Sequence, residues 1–277
     1  MVRIDAGMVE EAGKYVSRLY EENLSEKIVY HTLDHTKFVV ESAEYIGKKS
    51  GLNNEDVNKV KLCAWFHDIG FTIDPDNHEE EGARIAAKFL RSKGFDEPTV
   101  SLLENCLMAT RIPQQPHDIY SMVLCDADLM HLAEEDYLER IDPMRKEWAN
   151  LLGKKISKRK FHKTSLKFFQ KHSYHTDFAQ RELSPRKEKN LEMLKKEIHM
   201  LEKEKEQEIL GKAAAKAKQK GYSRGVESMF RLTANNQISL SSIADNKSNI
   251  LISVNAIIMS ITMTVLVTRF DEVPHII

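Results

Sequence analysis

Across the first 180 residues apolar side chains recur at helical spacing, and alternating Val/Ile/Thr runs bounded by Asn-Gly turns are absent. Phe38, Val39, Ala43 and Ile46 line one helical face, and Ala83, Ala86, Ala87 and Leu90 line another. Such a period buries a stripe on a helix and leaves a strand with no apolar face. Gly51, Gly70, Gly94, Pro98, Pro113, Pro116 and Pro143 punctuate the pattern where helices join. The spacing therefore predicts an all-α fold. A length of 277 residues allows one large domain or a domain with appendages.

Pro185 begins a different texture. From Arg186 to Lys220 the chain is rich in Lys, Glu, Leu and Ala, and Leu191, Leu194, Ile198 and Leu201 follow a 3-4-3 spacing. This reads as a long connecting helix over 186–222, either a short coiled coil or a solvated spacer. From Ser248 to Thr268 no residue is charged; 21 residues of helix cover roughly 30 Å, the thickness of a bilayer core. A transmembrane helix is therefore expected over 248–268. Lys216, Lys218, Lys220, Arg224 and Arg231 precede it, which puts the preceding bulk in the cytoplasm and the chain at the cell (inner) membrane. Asp245, Asn249, Ser253, Ser260 and Thr264 form one polar stripe, read as a helix–helix packing face and hence as a route to homo-oligomers.

The net charge of −1 gives no global field for nucleic acid, and no nucleic-acid partner is expected. Cys63, Cys106 and Cys125 form no CxxC pair and read as buried apolar residues in a reducing compartment. The N-terminal residues have no apolar core of a secretory signal.

Chemistry concentrates in three short pieces: His35, the doublet His67-Asp68, and Asp128. Two imidazoles and two carboxylates suit one divalent ion, which activates water against a phosphate ester. His67-Asp68 closes an apolar helix before Gly70, where both side chains can lean toward one point. Asp126 and Asp128 lie on different helical faces, so only one of them should be a ligand. His31 sits one turn before His35 on the same face. Asp68 and His67 are the candidate catalytic pair. Lys37, Arg84, Arg111 and His31 are candidate phosphate contacts.

The ordered segments YHTLDHTKFVV, WFHDIGF and LCDADL resemble the H…HD…D signature of the HD superfamily of metal-dependent phosphohydrolases over residues 25–180. The resemblance implies a helical HD domain over 1–185, ligands His35, His67, Asp68 and Asp128, and a nucleotide or cyclic nucleotide as substrate. Mn, Mg, Fe, Ni, Co and Zn are not distinguished. Some relatives hold a second metal; His78 and His117 are the candidates here, while Thr110 stands where dinuclear relatives place a histidine. The segment SSIADNKSNILISVN and the helix after it look like the membrane module of Pycsar effectors, which implies a membrane module over 223–277 and cyclic-nucleotide antiviral signalling. The alternative is a nucleotide-sensing HD module with little turnover that regulates a membrane-disrupting effector domain.

Overall fold

The computed structural model describes residues 3–219 and 224–271, with side chains described through residue 216 and over 225–255 apart from 227. Among the described residues every regular element is a helix, and the chain divides into two compact units, 1–202 and 203–277. The helices are α1 (Ala6–Asn23), α2 (Leu33–Lys49), α3 (Asn54–Phe66), α4 (His78–Ser92), α5 (Glu97–Met108), α6 (Ile119–Asp128), α7 (Tyr137–Arg140), α8 (Asp142–Leu151), α9 (Lys158–Lys171), α10 (Asp177–Glu182), α11 (Ser184–Gln219) and α12 (Arg224–Asp271). Short 3₁₀ turns, Ile69–Thr72 and Leu129–Ala133, follow α3 and α6, and a third, Pro75–Asn77, leads into α4.

Local chemistry sets the helix starts. Asn53 and Asp96 cap α3 and α5, accepting from the backbone N–H of Asp56 and Thr99. Asp118 and Ser121 close a reciprocal capping box at α6. In the first unit α2 packs on α3 and α6, and α4 packs on α5. Val39, Ile46, Val60, Leu62, Phe66, Leu90, Leu103 and Leu124 are buried between them. This layer holds the last turns of α3 and α6 side by side against α2, so the residues at those ends face one another.

A second apolar cluster lies beyond α6: Leu129, Leu132, Tyr137, Ile141, Phe161 and Phe169 with Leu191, Leu194 and Ile198 of α11. The 3-4-3 spacing expected to mark a spacer or coiled coil thus packs within the chain, and the compact unit extends past 185 to Glu202. The three side chains supply the stripe that covers Leu129 and Leu132. Each fully buried aliphatic side chain contributes about 2 kcal/mol.

The expected C-terminal transmembrane helix is corrected: among the described residues no helix is long and apolar enough to cross a membrane. The run 248–268 lies within α12, and its side chains beyond 255 fall outside the described residues. Within its described part the run carries Ser248, Asn249, Ser253 and Asn255 between its apolar residues, and Lys247 and Asp245 stand directly before it, which lowers the apolar character that a bilayer requires. In the polar stripe Ser253 Oγ donates to the carbonyl of Asn249, 2.9 Å away on its own helix. Ser260 and Thr264 lie outside the described side chains.

Candidate metal centre

His35 projects from α2, His67 and Asp68 follow the last residue of α3, and Asp128 ends α6. One atom each of His35, His67 and Asp128 lie within 4.8 Å of one another. Asp68 Oδ2 is 3.0 Å from His67 Nε2 and 3.3 Å from His35 Nε2, and Asp128 Oδ1 is 3.7 and 3.5 Å from the same nitrogens. Metal–ligand bonds of about 2.1 Å place neighbouring donors about 3.0–3.4 Å apart, so this spacing matches a shared ion.

The donor states fit as well. His67 Nδ1 donates to the carbonyl of Ala64 at 2.8 Å, which leaves the Nε2 lone pair pointing inward. His67 Nε2 and Asp68 Oδ2 are buried without any hydrogen-bond partner. Buried polar atoms are nearly always satisfied, so two facing orphans fit a cation held between them. Burial opposes charge on His35, but the facing carboxylates of Asp128 and Asp68 outweigh it and raise its pKa to about 9, a preference for positive charge that a metal ion would meet in place of the proton. Burial acts against ionisation of Asp68 too, and is outweighed by His67, His31 and His35, which hold its carboxyl well below the ordinary range.

Asp126 is fully buried and turned away. Its Oδ1 accepts from the backbone N–H of His175 (2.7 Å), and its Oδ2 from the N–H and hydroxyl of Thr176 (2.8 and 2.7 Å). It anchors the 174–176 segment.

Around the cluster, His31 Nδ1 is bonded to Glu147 Oε1, and Glu147 Oε2 accepts from three consecutive N–H groups, Val29 (3.0 Å), Tyr30 (2.8 Å) and His31 (3.1 Å). Glu147, only 1% exposed, was invisible to motif reading: it lies on α8, more than a hundred residues away. The His31 ring stacks on Phe71 (4.0 Å, 6°), and Phe71 packs on His78 (4.1 Å). His78 Nε2 lies 4.0 Å from Asp68 Oδ1 and 3.4 Å from Glu79 Oε1. The two oxygens of Asp68 therefore face different sides, one toward the four-donor cluster and one toward His78 with buried Glu79. Gly70 permits this: a Cβ there would lie 1.9 Å from the His78 carbonyl oxygen, so only glycine lets α4 start against the 69–72 turn.

The remaining candidates are elsewhere. His117 is exposed and precedes the first turn of α6, roughly 15 Å of helix from Asp128. Thr110 is buried and its hydroxyl donates to the carbonyl of Leu107 (2.8 Å). Lys37 is exposed two positions after His35, hence on another face. Arg84 pairs with Glu81, and Arg111 with Glu79 and Glu80. A cavity of about 280 Å³ opens beside His35, lined also by Tyr30, Phe38, His131 and Arg140. Cys63, Cys106 and Cys125 are free and buried.

A helical layer thus brings two imidazoles and two carboxylates to one buried point, a donor set suited to a divalent metal ion. Residues 32–133 match the family model of the HD domain. Ribonuclease Y from two strains of Ureaplasma parvum serovar 3 is 40% identical over 79 residues, which is 27% of this chain and 15% of each relative. The chain thus spans a small part of the curated relatives it matches. A structural-genomics protein from Lactobacillus plantarum has a similar fold at 14% identity, with a TM-score of 0.55 over 73% of this chain and 98% of its own. A predicted HD superfamily hydrolase from an uncultured Thermotogales bacterium gives 18% identity and a TM-score of 0.47 over 68% and 92%. The HD match ends at residue 133, and these matches give no support to the membrane module expected at the C-terminus.

Proposed function

We propose that this HD domain hydrolyses a phosphate ester of a nucleotide or cyclic nucleotide. The observation that carries the reading is the pair of unpartnered buried atoms, His67 Nε2 and Asp68 Oδ2, within a four-donor cluster. His35, His67, Asp68 and Asp128 would hold a divalent ion, which when bound supplies an acidified water and neutralises phosphoryl charge. Asp68 Oδ1, turned away from the cluster's other donors, is free to orient the attacking water. His31 keeps Nδ1 engaged by Glu147, so its Nε2 is the atom that can carry a proton to the leaving oxygen. The charge of Glu147 supports this as a buried carboxylate supports any orienting imidazole dyad. Aromatic walls beside His35 suit the organic part of such an ester.

The resemblance of the C-terminal segment supports a finer reading, turnover of a cyclic nucleotide in antiviral signalling, so cyclic pyrimidine and purine mononucleotides head the substrate panel. The relatives' name, Ribonuclease Y, makes a short RNA the second class to assay. The full chain, loaded with Mn²⁺ and quantified for bound metal, should hydrolyse at least one of these, and Asp68→Ala should abolish it. Tight nucleotide binding without turnover under any divalent metal would favour the sensing alternative. That alternative draws support from the docking of α11 against Leu129 and Leu132, immediately after Asp128.

A further inference from the structure

We infer that Arg140, at the end of α7, is the residue that receives the anionic group of the substrate, and that the substrate is a small phosphate ester rather than a polynucleotide. This rests on the phosphohydrolase reading and adds a recognition residue to it. Arg140 lines the 280 Å³ cavity that also includes the metal-ligand candidate His35. An occupant of that cavity therefore lies against the candidate ligand His35 and Arg140 together. Phe38 joins the two: it stands one turn after His35 on α2, and the Arg140 guanidinium lies 4.7 Å over its ring. Arg140 Nε is fixed by Asp136 Oδ1 at 2.5 Å, while Nη1 and Nη2 make no hydrogen bond among the described residues. A guanidinium anchored at Nε and stacked on a ring presents its two Nη groups as a fork that matches two phosphate oxygens.

The other cations do not have this placement. Arg84 and Arg111 are engaged by glutamates, and Lys37 leaves α2 on another face. Asp34 on the cavity rim balances the charge of Arg140, so selection rests on fork geometry more than on a strong field. The volume of about 280 Å³ lies just below the range of about 300–1,000 Å³ for small-molecule sites. One ester with a modest organic group fits, and Tyr30 and Phe38 supply flat apolar walls for it.

The test uses the full chain with Mg²⁺ and inorganic phosphate as probe, read by titration calorimetry, so that it does not depend on turnover. Arg140→Gln should weaken phosphate binding by about tenfold or more, with partial recovery in Arg140→Lys and no change in Arg84→Gln. If the protein turns over p-nitrophenyl phosphate with Mn²⁺, the same variant should raise KM about tenfold and move kcat much less. Thermal melting within about 2 °C of the parent shows that the fold is kept; should Arg140→Gln fall outside this, Arg140→Lys alone carries the comparison. Equal phosphate affinity in parent and variant, no phosphate binding by the parent, or an equal loss in Arg84→Gln each overturns the inference. Phosphate binding lost in Arg140→Gln, in a protein inactive on every ester, would uphold the anion site and remove the hydrolase reading instead.

Discussion

Replacing Asp126 and Asp128 by asparagine, one at a time, separates two carboxylates that sit two positions apart on α6. Asp126→Asn loses charge-assisted bonds to the 175–176 backbone and to the Thr176 hydroxyl, so unfolding in denaturant should show a loss of about 1.5–3 kcal/mol with metal content kept. Asp128→Asn should instead lose the ion in metal analysis, and the metal-free protein should melt somewhat lower as well, because the mutual stabilisation of Asp128 and His35 is gone. Gly70→Ala must displace a main-chain oxygen, not a side chain, and should destabilise by about 3 kcal/mol in the same denaturant assay. His172 provides a pH-dependent test away from the metal centre. Burial, then the Lys187 and His175 charges, push its pKa down from 6.5 to about 3, so the folded state holds it neutral. Its contribution is complete above about pH 6.5, where the unfolded imidazole is neutral too, and is lost progressively as pH falls toward 3. His172→Phe, which keeps an aromatic ring beside Phe168 and Tyr174 and removes the unpartnered Nε2, should flatten the fall in melting temperature across that window.

At the scale of elements, periodicity announced α2, α3, α4 and α6, and the terminus before Gly70 was legible as the place where His67 and Asp68 could converge. The ligand residues carried their own signal because imidazole and carboxylate types are scarce on apolar helical faces. Glu147, Glu79 and Arg140 carried none. Each reads as one more charge on a polar stretch, and its role depends on tertiary neighbours that local spacing does not encode. The 3-4-3 stripe of α11 was legible as apolar, but not its partner, since a stripe packs equally well on a second helix or on its own domain. Leu194 now has a test: it is fully buried against the second cluster, so Leu194→Ala should destabilise the first unit by about 2–4 kcal/mol, measured by urea unfolding. A solvated spacer would show almost no change. The uncharged run 248–268 misleads for a related reason: absence of charge is necessary for a membrane span and does not suffice, since Asn and Ser side chains recur within it.

At the scale of the molecule, the compact unit ending at Glu202 contains both apolar clusters and the metal centre. A chain stopped after Glu202 should keep the metal content of the full protein and the melting midpoint of this unit. One stopped after Leu183 should melt well below it, since it uncovers Leu129, Leu132 and Tyr137. Lys187 and Asn190 reinforce that division, because Asn190 donates to the carbonyls of Leu132 and Glu134 at 2.8 and 2.7 Å. The carboxylate of Glu147 ties down main-chain groups 116 to 118 residues earlier in the chain. Closing so long a loop is entropically slow, and its reward arrives only when both ends are in register. On a ribosome, His31 and His35 emerge well before the carboxylate that fixes the loop between α1 and α2. The expected order is helices early and any ion late. Refolding of Glu147→Gln followed at once by circular dichroism and by metal uptake should show helix recovery at the parental rate and uptake that lags behind it.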